Sequence, residues 1–122
     1  MPLRYLLDEH LHGALWRAIQ QHNVAGNNPL DTLCVGDPSD LLLGATDSDN
    51  LLWAEREGRI LVSLDKNTLP GHLVQHLQSG HRSPGVLLIR PGRAVAQVVS
   101  FLVIAAYASD PADWQDRWEY IP

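Results

Sequence analysis

The sequence predicts an α/β domain of three layers, in which a mainly parallel central sheet is flanked by helices. Short apolar, β-rich runs alternate along the chain with longer segments of helical periodicity, an order typical of α/β folds. The short runs are continuously apolar, which suits strands that are buried on both faces of a parallel sheet. With 122 residues the chain has the length of one domain, so we expect a single domain over residues 1–122.

Five segments carry the strand pattern. The predicted strands are residues 3–7 (LRYLL), 31–35 (DTLCV), 59–64 (RILVSL), 85–90 (GVLLIR) and 118–122 (WEYIP). The last of them has the weakest apolar pattern. Because strands alternate with helices, we expect the connections between parallel strands to be right-handed crossovers.

Four segments between and after the strands carry helical patterns. The predicted helices are residues 9–23, 47–58, 68–80 and 93–110. In the first, Leu11 and Leu15 begin an apolar face with helical spacing. The second opens with a capping-box pattern, in which Thr46 pairs with Asp49, and ends at Gly58. The fourth is apolar nearly all round, so we expect it to be buried.

Composition and charge bear on nucleic-acid binding, on disulfide bonds and on the cellular location of the protein. The chain has 14 acidic residues, 9 lysines and arginines and a formal charge of −5, so net charge gives no support to broad neutralisation of nucleic-acid phosphates. Local arginines or a bound cation would still permit contact with RNA. The single cysteine, Cys34, excludes an internal disulfide and lies in an apolar run that predicts a buried thiol. With no signal-peptide pattern and no apolar stretch long enough for a bilayer, we expect a cytoplasmic protein without membrane contact.

Acidic residues follow the predicted strands. Asp8 comes directly after the first strand, Asp65 follows the third, and Asp47 opens the helix between them. The carboxyl ends of parallel strands meet at one edge of a sheet, where ligands bind in open α/β folds. Carboxylates gathered there repel one another unless a cation lies between them, and Mg²⁺ or Mn²⁺ suits an all-oxygen site.

Each of these acids also has a simpler interpretation when it is taken alone. Asp47 and Asp49 are favoured at a helix N-terminus, and Glu9 is an acid of the first helical turn. Asp37 and Asp40 lie beside glycine and proline, where aspartate forms turns. Only the combination of Asp8 with the acids at positions 47 and 65 favours a metal site.

Three segments, YLLDEHL (5–11), TDSDNLLWAEREGRILVSLDKN (46–67) and GVLLIR (85–90), occur in the order and approximate spacing of the compact PIN-like proteins. The chain resembles that family, whose members are relatives of the VapC-type toxin ribonucleases. The resemblance extends from residue 3 to residue 90 and is most specific over 47–65. It implies a three-layer PIN-like fold and Mg²⁺- or Mn²⁺-dependent cleavage of RNA.

The resemblance also implies a set of site residues. Asp8, Asp47 and Asp65 match the metal-binding acids of the family, and would hold one or two Mg²⁺ or Mn²⁺ ions. Glu9 and Asp49 match additional acids of the compact subgroup, which would help to deprotonate the attacking water. The residues expected to contact the substrate are Lys66, Asn67 and Arg90.

The chain departs from the family pattern at two places. His10 stands where the family motif Asp-Glu-Asn has asparagine, and Arg90 and Arg93 follow the fourth strand where a fourth acid is common. The resemblance therefore leaves two functions open. One is a ribonuclease, which can be the toxin of a toxin–antitoxin pair with RNA and an antitoxin protein as partners. The other is a catalytically inactive PIN-like interaction module, with the fourth helix as a homodimer interface.

Two other interpretations are weaker. His72 and His76 share a helix face and His81 follows, but the segment HLVQH lacks the glutamate of a zinc-protease helix, so we expect surface histidines. A receiver domain would make Asp65 a phosphate acceptor, but that fold needs a lysine after a late strand, where this chain has Arg90.

Overall fold

The computed structural model describes residues 2–122. Its strands are β1 (Arg4–Leu7), β2 (Asp31–Cys34), β3 (Ile60–Ser63), β4 (Val86–Ile89) and β5 (Trp118–Ile121). All five pair in parallel in the order β2-β1-β3-β4-β5. The α-helices are α1 (Ala14–Ala25), α2 (Asp47–Glu57), α3 (Leu69–Gln78) and α4 (Val95–Ala108). The predicted three-layer α/β fold with a parallel central sheet is thereby confirmed.

Alternating side chains of the strands supply two separate cores. In β1, Tyr5 and Leu7 face the helices α1 and α4, whereas Leu6 faces α2 and α3. The Tyr5 hydroxyl donates a hydrogen bond of 2.8 Å to the carbonyl oxygen of Leu102 in α4, so the buried phenol has a partner. Burial on both faces explains why the segments of β3 and β4, in the middle of the sheet, are continuously apolar.

The first predicted helix is divided into two pieces. A 3-10 turn, Glu9–Leu11, is followed by a break at Gly13, and α1 begins at Ala14. The apolar spacing continues across this break because Leu11 and Leu15 both enter the core. The prediction of one helix over 9–23 is therefore wrong, since a shared buried face does not require a continuous helix.

The helix α4 is buried on one face only. Leu102 and Ala105 point to the sheet, whereas Ile104 is 64% exposed and Tyr107 is 44% exposed. The expectation of burial all round is wrong because the sheet and α1 cover only one side of α4. Within residues 2–122, every helix is too short or too polar to cross a membrane.

Cys34 ends β2 beneath the carboxyl edge of the sheet and is completely buried. Burial, with the nearby negative charges of Asp37 and Asp8, raises the pKa of its thiol to about 12. The thiol is therefore protonated at neutral pH, and the prediction of a buried cysteine is confirmed.

The register of the sheet brings two strand ends together at the carboxyl edge. Leu7 of β1 pairs with Val62 of β3, so the residues that follow them, Asp8 and Ser63, lie side by side. The amide of Asp8 donates a 2.9 Å hydrogen bond to the carbonyl oxygen of Val62 and extends this pairing by one residue. The acids after β1 and β3 are thus held on adjacent backbone segments.

Candidate functional site

The buried side chain of Ser63 links Asp8 with Asp65. The Ser63 hydroxyl lies 3.2 Å from Oδ2 of Asp8, to which it donates, and accepts a 3.0 Å hydrogen bond from the amide of Asp65. Ser63 is 2% exposed, and the carboxylate of Asp8 is only partly exposed beside it. The end of β3 therefore fixes the position of the Asp8 carboxylate relative to the loop that carries Asp65.

The carboxylate of Asp65 accepts three hydrogen bonds from the start of the α3 segment. The amides of Asn67 and Thr68 donate to Oδ1 at 3.1 and 3.0 Å, and the Thr68 hydroxyl donates to Oδ2. These bonds, foremost that of the Thr68 hydroxyl, lower the pKa of Asp65 below its usual range. Asp65 is consequently an anion at neutral pH with a defined orientation.

Asp47 completes the group from the first turn of α2. Its Oδ2 atom lies 3.4 Å from the Thr68 hydroxyl oxygen and 2.8 Å from Nδ1 of His72 on α3. The Thr68 hydroxyl is therefore located between the carboxylates of Asp65 and Asp47. One network runs from Asp8 through two hydroxyls to His72, and it contains all three aspartates expected at the metal site.

The three carboxylates are joined by hydroxyls rather than packed against one another. Among residues 2–122, they do not form a group of three side chains whose ligand atoms all lie within 4.8 Å of one another. The metal-ligand atoms that Asp8, Asp47 and Asp65 offer are carboxylate oxygens, which suit a hard cation. Mg²⁺ usually binds one or two carboxylates and retains several waters, so the wider spacing is compatible with it.

Glu9 and Asp49 are engaged with the backbone. Oε1 of Glu9 accepts a 3.0 Å hydrogen bond from the amide of Gly44, which ties the 3-10 turn to the loop before α2. Asp49 and Thr46 form the predicted capping box, each side chain accepting from the other's amide. Both acids therefore have structural roles, and their part in catalysis stays a prediction.

The residues expected to contact substrate are all exposed at the carboxyl edge. Lys66 and Asn67 follow β3, and the Arg90 guanidinium lies 4.0 Å from the centre of the Tyr120 ring. Arg93 and His10, the position that departs from the family motif, line one cleft of about 210 Å³ beside the ends of β1 and β4. The edge that carries the acids thus also carries cationic groups, despite the negative net charge of the chain.

A second cluster was not expected from the sequence. Oε1 of Glu55 in α2 lies 3.1 Å from Nε2 of His76 and 3.3 Å from Nδ1 of His81. Among the described residues this is the one group of three or more His, Cys, Asp or Glu side chains with ligand atoms all within 4.8 Å of one another. These three residues lie close enough to hold a metal ion.

The expectation of surface histidines is wrong for His76, which is 7% exposed. His76 follows the buried residues Leu69 and Leu73 at helical spacing, so the apolar face of α3 already indicated its burial. The contact with Glu55 could not be seen in the sequence, because it depends on α2 and α3 being neighbours in the fold. The same holds for the pairing of His72 with Asp47.

Comparison of the chain with protein-family models, with curated proteins and with solved structures gives no match.

Proposed function

We propose that this protein is a PIN-like ribonuclease that depends on Mg²⁺ or Mn²⁺, with Asp8, Asp47 and Asp65 as its metal-binding residues. The observation that carries the proposal is the single hydrogen-bonded network that joins these three aspartates at the carboxyl edge of the sheet. They come from the end of β1, the start of α2 and the end of β3. Ligands of parallel α/β sheets bind at this edge.

The residues of the network prepare the site in different ways. Ser63 holds Asp8 in place, and the hydrogen bonds from three donors lower the pKa of Asp65 and so favour its ionised form. A divalent cation supplies Lewis-acid stabilisation of phosphoryl oxygens and activates water for attack on phosphorus. Asp8 and Asp65 would hold it, with Asp47 directly or through water.

The surrounding residues suit a phosphodiester substrate. Lys66 and Arg90 are exposed at the same edge and can contact phosphate oxygens. Glu9 and Asp49, which follow Asp8 and Asp47 closely in the chain, are the proposed acceptors of the proton of the attacking water. RNA as the substrate, an antitoxin protein as a partner and a homodimer are part of this proposal because the family resemblance implies them.

Substitution of Asp8 by asparagine tests the proposal. The variant keeps the shape of the side chain and its hydrogen bond with Ser63 but removes the charge. We expect purified wild-type protein to cleave end-labelled RNA in the presence of Mn²⁺, and to lose this activity in EDTA. The Asp8→Asn variant should be slower by at least about 100-fold, since loss of metal-based stabilisation amounts to several kcal/mol.

Glu119→Gln is the matched control, because Glu119 is exposed on the edge strand β5 and the same charge is removed. It should cleave at the wild-type rate. Equal cleavage by wild type and Asp8→Asn would exclude the proposed site.

One observation favours the alternative, an inactive PIN-like interaction module. Oδ2 of Asp47 already lies 2.8 Å from Nδ1 of His72, so Asp47 has a hydrogen-bonding partner without a metal ion. Purified protein that cleaves no RNA with Mn²⁺ and has the same melting temperature with and without millimolar Mn²⁺ would support this alternative, because a ligand of the folded state raises that temperature.

A further inference from the structure

Glu55, His76 and His81 converge from three segments of one layer. Glu55 is on α2, His76 is near the end of α3, and His81 follows α3 in the loop before β4. The imidazole rings of the two histidines are stacked, with centroids 4.8 Å apart and planes at 21°. Both rings present a nitrogen to the same carboxylate oxygen, Oε1 of Glu55.

The backbone around the cluster orients these ligands. The other carboxylate oxygen of Glu55, Oε2, accepts a 3.1 Å hydrogen bond from the amide of Arg82. The amide of His81 donates to the carbonyl oxygen of His76 at 3.2 Å, which holds the loop against the end of α3. Such outer hydrogen bonds fix the orientation of metal ligands and support affinity.

The burial of the three side chains is graded from core to solvent. The side chain of His76 is 5% exposed, that of Glu55 is 30% exposed and that of His81 is 46% exposed. A cleft of about 250 Å³ reaches the two histidines between α2 and α3, and Ser48, Leu52 and His72 line its walls. An ion can therefore enter from solvent, and water can occupy the remaining coordination positions.

The chemistry of the donor set indicates the class of ion. Two imidazole nitrogens and one carboxylate oxygen suit Zn²⁺ and related transition metals, which accept nitrogen ligands, whereas Mg²⁺ and Ca²⁺ prefer oxygen. Nε2 of His76 lies 2.8 Å from the carbonyl oxygen of Arg82 and donates its proton there. A metal ion would take the place of that proton at Nε2, and the proton would move to Nδ1, so that the ring binds as a neutral imidazole.

We infer that Glu55, His76 and His81 form a binding site for a transition-metal ion of the Zn²⁺ class, separate from the aspartate network. The ion would link α2, α3 and the loop that follows α3. The site shares no residue with the proposed nuclease site, so either proposal can fail while the other holds.

The test is a Zn²⁺ titration of the full chain in competition with a chromophoric chelator. We expect the wild type to bind one equivalent at this site. Glu55→Gln and His81→Asn should each weaken this binding by at least about 100-fold, more than the loss of an outer hydrogen-bond partner costs. Zn²⁺ at 100 times its dissociation constant should also raise the melting temperature of the wild type by about 10 °C.

Two controls locate the ion. Glu119→Gln removes an exposed carboxylate from β5, and His22→Asn removes a histidine from α1 on the opposite face of the sheet, so both should bind Zn²⁺ like the wild type. Long-range ¹H–¹⁵N spectra of the imidazoles should shift for His76 and His81 and not for His22. Glu55 and His81 are partly exposed, so their variants should fold. Uptake of Zn²⁺ by Glu55→Gln and His81→Asn at wild-type affinity, or no uptake by the wild type, would overturn the inference.

Discussion

Replacing Asp65 by asparagine is expected to lower the rate of Mn²⁺-dependent RNA cleavage by roughly 10²–10³-fold. The change removes one negative charge from the proposed site and leaves a side chain of the same shape, whose carbonyl oxygen can still accept from the amides of Asn67 and Thr68. The loss follows from the several kcal/mol by which a bound cation stabilises the transition state. Initial rates with end-labelled RNA measure it.

Circular dichroism of the Asp65→Asn variant provides the control for folding, because the variant should keep the helix content and a cooperative thermal transition. A folded variant that cleaves RNA at the wild-type rate would contradict the assignment of Asp65.

The difference in stability between the wild type and Asp65→Asn should depend on pH in a defined way. The donors around Asp65 hold the pKa of its carboxyl below the usual range in the folded state. A carboxyl of this kind stabilises the fold above its unfolded-state pKa of about 3.9, and this contribution is lost as the pH falls through the folded-state pKa. Wild type should therefore unfold at higher urea concentration than Asp65→Asn at pH 7, and the difference should shrink below about pH 4. A difference that grows with acidity would contradict this account.

The second large effect is expected in the core. Leu102 is completely buried between α4 and the sheet, so Leu102→Ala leaves a cavity and should lower the free energy of unfolding by about 3 kcal/mol. For a chain of this length, that loss corresponds to a fall of about 12 °C in melting temperature. Urea and thermal denaturation of the purified variant measure both quantities.

Ile104→Ala is the matched control for Leu102→Ala. It is on the same helix but 64% exposed, so its effect should stay within about 0.5 kcal/mol. Equal losses at both positions would contradict the one-sided burial of α4. A loss at Ile104 that increases with protein concentration would instead support the homodimer that the family resemblance implies.

Much of the fold could be predicted from local patterns. The bounds of the five strands could be predicted to within about one residue, because short β-rich runs between turn residues favour strands. The pattern is clearest for β3 and β4, which are buried along their whole length. The start of α2 was predicted in detail, since the capping box of Thr46 and Asp49 is a local interaction. The one-sided burial of α4 could not be predicted, because an apolar helix does not reveal how much of it the neighbouring elements cover.

The candidate site was predictable only in part. Asp8 and Asp65 could be placed together because the ends of parallel strands share an edge, and the structure joins them through Ser63. The bridging roles of Ser63 and Thr68 could not be predicted, since the sequence does not indicate which partner a hydroxyl contacts in space. Glu55 and His76 are 21 positions apart on different helices, and only the packing of α2 against α3 brings them together.

Binding of Mn²⁺ measured by electron paramagnetic resonance tests the central claim, that the aspartates at the carboxyl edge hold a divalent cation. Free Mn²⁺ gives the signal, so the decrease in signal on addition of protein measures the number of bound Mn²⁺ ions. We expect the wild type and Glu119→Gln to bind one or two Mn²⁺ ions, and Asp8→Asn and Asp65→Asn to lose this binding. A wild type that leaves Mn²⁺ free at millimolar concentration, or an Asp8→Asn variant that binds it equally well, would contradict the claim.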